Sequence, residues 1–287
     1  MIHRVACSLL TLAVVFVCGF SHADEPKEAA TQPPQWRRIL KGDDAAKAES
    51  LEKRIAQLRD DDRSEAIPQA EALLELRARL QGEDHWQVRE ARNTLEFLRR
   101  PALTAAQRER LKEADRLAQE GVALSTARRH QEAAKPAEEC LRIRREILGD
   151  THPDTALGLF NLALLYKALG RVADAVPLDR EALRIRRALL GELHPDTAWS
   201  LNNLAVLHYL LGQYSEAEPL YVEALRVRRE VLGDQDPATA VSVNNLAALY
   251  KAQGKNAEAE PLYVEALRTR RAILGDKHPA VALSLNN

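Results

Sequence analysis

Cysteine is too scarce here for covalent cross-linking. The chain has three, and Cys7 and Cys18 fall in an N-terminal stretch built like a removable leader. Cys140 then stands alone, and no internal disulfide is expected whatever the redox compartment. Excess charge of one sign is lacking too: 41 Lys and Arg face 42 Asp and Glu, a formal charge of −1 that becomes −2 once Arg4 leaves with the leader. That near-neutrality argues against nucleic acid and anionic membrane surfaces as partners. Only 5% of residues are aromatic, and the 12 Gly and 13 Pro fall mostly between apolar helical runs. Stability must therefore come from packed helices, and the composition reads as all-α. Chemistry-bearing motifs are also missing. No Gly-rich phosphate loop, Ser/His/Asp or Cys/His set, or recurring carboxylate pair stands in a plausible setting, so no catalysis, cofactor or metal is expected.

Long apolar runs are confined to the N-terminus. His3 and Arg4 precede "VACSLLTLAVVFVCGF", and "SHA" precedes Asp24. A charged start, a short apolar stretch and a small-residue cleavage site predict a signal peptide over 1–23. The run falls short of the about 20 residues that span a bilayer, and "VFVC" lacks the small residues expected before a lipidated Cys18. The expected protein is exported, periplasmic or secreted, with no membrane contact after cleavage. Residues 24–42, with "EPKEAATQPPQ", read as a disordered linker.

What the chain does have is a repeat. "LGDTHPDTALGLFNLALLYKALGRVADAVPLDREALRIRRAL", "LGELHPDTAWSLNNLAVLHYLLGQYSEAEPLYVEALRVRREV" and "LGDQDPATAVSVNNLAALYKAQGKNAEAEPLYVEALRTRRAI" begin at 148, 190 and 232, and a fourth unit begins at 274. A period of 42 residues without insertion marks a solenoid, in which each unit buries its apolar face only against its neighbours. Each unit predicts two helices. In the second, Pro195 opens a helix with a stripe of Leu201, Leu204, Ala205, His208 and Leu211. Gly212 and Gln213 end it. Ser215, with Glu218, is expected to cap a second helix whose stripe is Ala217, Leu220, Tyr221, Ala224 and Leu225, with Pro219 in its first turn.

Weaker copies lie upstream, over 43–147. "QEGVALSTARRHQEAAKPAEECLRIRREI" puts Cys140 where Ala182 and Ala224 stand, which makes it a small core residue. "RSEAIPQAEALLELRARLQGEDHW" matches "YSEAEPLYVEALRVRREVLGDQDP" in register, with Trp86 in place of the Pro. Thr104 and Gln107 form a capping-box start for a long helix. The expected organisation is an irregular N-terminal cap followed by regular repeats from 148 to 287, the last one incomplete.

These residues resemble the tetratricopeptide repeat, in the longer variant found in kinesin light chains and many bacterial repeat proteins. The resemblance implies a right-handed superhelical solenoid of antiparallel helix pairs, and a non-enzymatic scaffold whose concave side binds an extended peptide or partner protein. An Asn of the first helix holds the ligand backbone in that family. Here Asn161, Asn203, Asn245 and Asn287 recur 42 apart, preceded by Asn202, Asn244 and Asn286 in three cases. Mid-helix Asn costs about 0.5 kcal/mol against Ala, so helix propensity does not account for it. Asn161, Asn202, Asn203, Asn244 and Asn245, with Lys167, Tyr209 and Lys251, are the candidate peptide-binding residues, and Val206 and Leu210 share their edge. In the alternative reading each amide bonds only to a neighbouring helix.

Two periodic features read as structural. His152, His194 and His278 precede Pro, but loops roughly 10 Å apart cannot share an ion whose ligands lie about 2 Å away, so they start helices. The clusters at Arg184, Arg186 and Arg187, Arg226, Arg228 and Arg229, and Arg268, Arg270 and Arg271 read as solvated helix ends. Two rival functions stay open: the recruiting arm of a longer enzyme with a peptidase-like C-terminal domain, and end-to-end self-association through the unfinished repeat. Mass spectrometry of the protein recovered outside the cell should show Asp24 at its N-terminus. An intact Met1 on a membrane-bound form would refute the export assignment.

Overall fold

The computed structural model describes residues 40–58, 63–83, 85–100 and 103–275. The leader, most of the linker, His278, Asn286 and Asn287 lie outside them. All regular structure among the described residues is helical. The helices are α1 (Gly42–Leu58), α2 (Arg63–Gln81), α3 (Trp86–Arg99), α4 (Ala105–Thr126), α5 (His130–Leu148), α6 (Pro153–Ala168), α7 (Val172–Leu190), α8 (Pro195–Leu210), α9 (Tyr214–Val231), α10 (Pro237–Ala252) and α11 (Asn256–Leu274). The chain forms two compact units, 1–115 and 116–287, with the division inside α4. In the first, Ile55, Leu58, Leu73, Leu76, Leu95 and Leu98 make a core of their own. In the second, α6 packs on α7, α8 on α9 and α10 on α11, and each pair packs on the next, which is a solenoid.

The same local devices set each pair. His152, His194 and Asp236 cap α6, α8 and α10, accepting from the backbone N–H two residues on at 3.1, 2.9 and 2.7 Å. Upstream, His85 accepts from Gln87 N–H at the start of α3 in the same way, at 3.2 Å. Thr155, Thr197 and Thr239 each donate to the carbonyl of the Gly six residues earlier at 2.8 Å, tying a first helix to the end of the preceding second helix. Between the two helices of a pair, Gly170, Gly212 and Gly254 turn the chain at positive φ, a conformation that costs other residues about 1 kcal/mol. Arg128 occupies the corresponding place before α5 with φ 60°. Thr104 and Gln107 form the expected capping box, with Thr104 N–H donating to Gln107 Oε1 at 2.9 Å and Gln107 N–H to Thr104 Oγ1 at 3.2 Å.

Several expectations need correction. Ser215 caps nothing: α9 starts a residue before it, at Tyr214, and its hydroxyl donates to Glu216 Oε2. Pro219 is the sixth residue of α9 and so lies in its second turn, where its ring removes an i→i−4 bond. Pro68, Pro177 and Pro261 hold the same place in α2, α7 and α11. Burial on α8 extends well beyond one stripe: Leu201, Leu204, Ala205 and His208 are buried as expected, but so are Ser200, Asn202, Asn203 and Leu207. Leu211 ends up exposed beyond the helix. A first helix packs on its own partner and on the second helix of the preceding pair, and touches the first helices to either side, so one stripe cannot cover its contacts.

The arginine clusters are the largest correction, because one member of each of the first two is core, while Arg270 in the third is half-buried. Arg186 and Arg228 are buried with Arg144 and Arg77. Each donates through Nη1 to the backbone carbonyl ten residues on: Arg77 to Gln87 at 3.0 Å, Arg144 to Asp154 at 3.4 Å, Arg186 to Asp196 at 3.2 Å and Arg228 to Ala238 at 2.8 Å. Arg186 and Arg228 also bond Ser200 and Ser242, at 2.9 and 2.7 Å. Their guanidinium carbons lie 4.5 Å from the Phe160 ring centroid and 5.4 Å from that of Trp199. The next arginine pairs with the following second helix: Arg145 with Glu181, Arg187 with Glu223 at 2.7 Å and Arg229 with Glu265 at 2.5 Å. Arg184, Arg226, Arg268 and Arg271 sit on solvated surface, as expected. Cys140 is buried as a small core residue.

One repeat carries a polar break in its core. Asp179 stands where Tyr221 and Tyr263 do, and it is fully buried. Burial pushes its carboxyl up from 3.8 to about 7, against the lowering effects of Asn203, Arg186 and Lys167.

Two predictions follow from this packing. Arg228→Ala should lower the urea unfolding free energy by about 2 kcal/mol or more, since a buried charged donor and its packed stem are both lost. Arg226→Ala, on the exposed i,i+4 pair with Glu230, should change it by less than about 1 kcal/mol. The second concerns pH. Between the unfolded value near 3.8 and the folded value of about 7, folded Asp179 holds a proton that the unfolded chain has released. Its contribution to stability is complete below that window, shrinks by up to about 1.4 kcal/mol per pH unit as pH rises through it, and is lost above it. The melting temperature of the wild type should therefore fall, relative to Asp179→Asn, on going from about pH 5 to about pH 8. Parallel curves would exclude the assignment.

Candidate functional site

Six of the eight candidate residues fall at two places on the first helices, six residues apart, and Asn202 and Asn244 directly precede two of them. Asn161, Asn203 and Asn245 hold the earlier place and Lys167, Tyr209 and Lys251 the later one. Since the helices are parallel copies, each place forms a row across α6, α8 and α10. The two rows do not share one environment.

At α8 the asparagine is internal. Asn203 is buried. Its Nδ2 donates to Asp179 Oδ2 of α7 at 2.9 Å, and its Oδ1 accepts from Lys167 Nζ of α6 at 2.9 Å. Both partners agree on the orientation of the amide, because a carboxylate needs a donor and an ammonium an acceptor. Asn203 is thus a strut between helices, the arrangement the alternative reading describes. Asn202, also buried, accepts from Asn245 Nδ2 at 3.1 Å, which joins α8 to α10. Asn244 accepts from Arg270 at 3.5 Å. Asn161, Asn244 and Asn245 are only half-buried, so the accessible part of the row lies on α6 and α10.

The other row changes character along the stack. Lys167 is half-buried and engaged by Asn203. Tyr209 is half-buried and lies 5.6 Å from Tyr214, centroid to centroid. Lys251 is exposed, its Nζ 5.9 Å from the Tyr263 ring centroid. Burial raises the pKa of Tyr221 and of Tyr263, and the neighbouring Tyr209 raises both further. Tyr209 and Tyr263, backed by the buried Tyr221, therefore form an aromatic patch with Lys251 at its rim, a surface suited to apolar and anionic groups of a ligand. Val206 is half-buried and Leu210 exposed on the same helix. Sequence reasoning did not single out Tyr263 or Asp179. The signal for Asp179 was present, as a departure from Tyr at a repeat position. Among the described residues, no three His, Cys, Asp or Glu are placed to hold a metal ion, and no helix is long and apolar enough to cross a membrane.

Comparison with known proteins agrees with this geometry. No curated protein matches the chain. Among solved structures, the chain is similar to BtubC (BKLC) from P. vanneervenii, with 26% identity over 82% of this chain and 92% of that one and a TM-score of 0.54. A putative kinesin light chain from Podosopora anserina, with nearly identical TPR-like repeats, is 21% identical over 79% of this chain and 94% of that one, with a TM-score of 0.48. The tetratricopeptide repeat model matches residues 119–188, 158–230, 196–272 and 239–287, which together span more than half of the chain. By the match of the repeat model and by its stacked helix pairs, the protein belongs to the tetratricopeptide repeat family.

Proposed function

We propose that the protein is a non-enzymatic scaffold, active after export, that holds an extended segment of a partner protein along the edge of its first helices. Repeats of this family mediate protein–protein interactions. The observation that carries the finer reading is the alternation of the accessible residues: amides at Asn161, Asn244 and Asn245, and an aromatic and cationic patch at Tyr209, Tyr263 and Lys251. Amides bond a ligand's backbone whatever its sequence, while the patch selects side chains. First helices about 10 Å apart meet roughly every third residue of a strand that rises about 3.3 Å per residue.

The buried Asn203 has a different role from its half-buried equivalents, so substitutions should separate the two. In fluorescence anisotropy against an array of extended peptides, the best binder should lose about 1 kcal/mol or more of affinity with Asn161→Ala and with Asn245→Ala. Tyr209→Ala with Lys251→Ala should cost as much or more, and neither set should move the melting temperature by more than a few degrees. Leu204→Ala should instead cost about 2–5 kcal/mol of stability through a core cavity. Asn203→Ala should destabilise as well, by stranding Asp179 and Lys167. Unchanged binding in the first three variants would sink the groove assignment.

A further inference from the structure

Each second helix of the regular repeats keeps one stripe exposed. It carries Pro177, Arg180 and Arg184 on α7, Pro219, Val222 and Arg226 on α9, and Pro261, Val264 and Arg268 on α11. Arg187 with Glu223 at 2.7 Å and Arg229 with Glu265 at 2.5 Å join these helices to one another, so the three stripes are neighbours. Val222 is 46% exposed and Val264 60% exposed. Valine is a weaker helix former than alanine or leucine, so helix propensity does not account for its place on two exposed stripes.

The arginines of the stripe differ in how they are neutralised. On α5 Arg142 pairs with Glu139 and Glu146, and on α9 Arg226 pairs with Glu230 at 2.9 Å. Where Glu146 and Glu230 stand, α7 and α11 carry Ala188 and Ala272. Arg184 and Arg268 accordingly make no hydrogen bond or ion pair among the described residues, and neither does Arg180, which takes the place of the valines. Glu181, beside Arg180 on the same helix, is engaged by Arg145 of α5. Arg180 and Arg184 therefore stand one turn apart, exposed and unpaired, a like-charge arrangement that destabilises a helix.

We propose that the exposed stripes of α7, α9 and α11 form a second docking surface, which takes an extended acidic segment of a partner protein with two carboxylates on Arg180 and Arg184 and apolar side chains on Val222 and Val264. Charge complementarity selects the occupant. The unpaired guanidiniums of α7 attract carboxylates, which relieve their mutual repulsion. A nucleic acid backbone needs cations along its whole path, whereas this path is broken by the valines. Neighbouring helices lie roughly 10 Å apart and a strand advances about 3.3 Å per residue, so the apolar side chains fall about three and about six positions after the acids. The surface shares no residue with the first-helix rows, so it stands or falls separately from the groove assignment.

The test is fluorescence anisotropy of the full chain at low salt, where exposed charges are least screened. The probe is a fluorescein-labelled peptide with two adjacent glutamates, leucines three and six positions after them, and Ser or Gly elsewhere; the control is a scrambled peptide of the same composition. The wild type should bind the ordered peptide about tenfold more tightly than the scrambled one, the factor that seating two apolar side chains supplies. Arg180→Gln with Arg184→Gln should weaken that binding about three- to tenfold, as loss of two exposed ion pairs implies. Val222→Ser with Val264→Ser should abolish the preference for the ordered peptide. Ala188→Glu leaves both arginines in place but pairs Arg184 as Glu230 pairs Arg226, and should weaken binding about threefold, whereas Arg226→Gln should change it less than about twofold. All these positions are exposed, and melting curves should coincide within a few degrees, which separates lost binding from lost fold. Equal affinity for the two peptides, or unchanged affinity in the double arginine variant, would overturn the docking surface. Tighter binding of an oligothymidylate through the same arginines would overturn the choice of a protein partner.

Discussion

The stack depends on a charge that has nowhere to go but the neighbouring backbone. Each second helix from α2 onward that is followed by a described first helix buries one guanidinium near its end, and that group reaches a carbonyl in the opening turn of the next helix. A buried arginine is costly unless its hydrogens find acceptors. That cost makes the contact selective for register, because a helix shifted by one turn would strand the guanidinium. Leucines at the same interface would tolerate such a slip, since apolar contacts are non-directional. The fixed separation of ten residues between donor and acceptor therefore locks the angle between successive pairs, and a Ser on the first helix and an aromatic ring complete two of the four sites.

That constraint explains how much of the fold was legible and where legibility stopped. The period, the pairing of helices, the caps at His152, His194 and Asp236 and the Thr104 capping box all follow from local spacing, and the structure shows them. Even the copy around Arg77 could be aligned, through Ser64, Glu65, Ala66, Pro68, Leu74, Arg77 and Gly82. Burial of Arg186 and Arg228 was not legible, because charge in the last turn of a helix ordinarily means solvent. What reverses that expectation is the next helix crossing over the arginine, which is a tertiary fact. The same cause undid the single-stripe reading of α8. A helix flanked on several sides carries buried residues on several faces, and its pattern no longer separates inside from outside.

The candidate site shows a finer form of the same limit. A row of asparagines at one repeat position suggested a row of equal roles, yet the amide on α8 is buried between an acid and an ammonium while those on α6 and α10 are half-buried. What differs is the residue across the interface. Asp179 and Lys167 replace tyrosines of the neighbouring repeat, so the amide facing them is drawn inward. Equivalent positions in a solenoid share a backbone, and their chemistry is set by the three or four side chains that surround each copy.

In a repeat array built this way the contacts that hold the stack and those at the candidate rows meet. Second-helix arginines fix register through the carbonyls they reach, and Arg270, at the same repeat position, donates to the candidate Asn244. At the later row the side chain changes from copy to copy, Lys167, Tyr209 and Lys251, while at the earlier row Asn203 is itself a strut between helices. Tyr221 and Asp179 occupy the same place in successive repeats, and their helices start at the same repeat position. The chemistry at a repeat position is therefore set copy by copy: an acid and an ammonium flank the amide of α8, and tyrosines stand at the same places one repeat on, because a solenoid repeats its backbone and not its side chains.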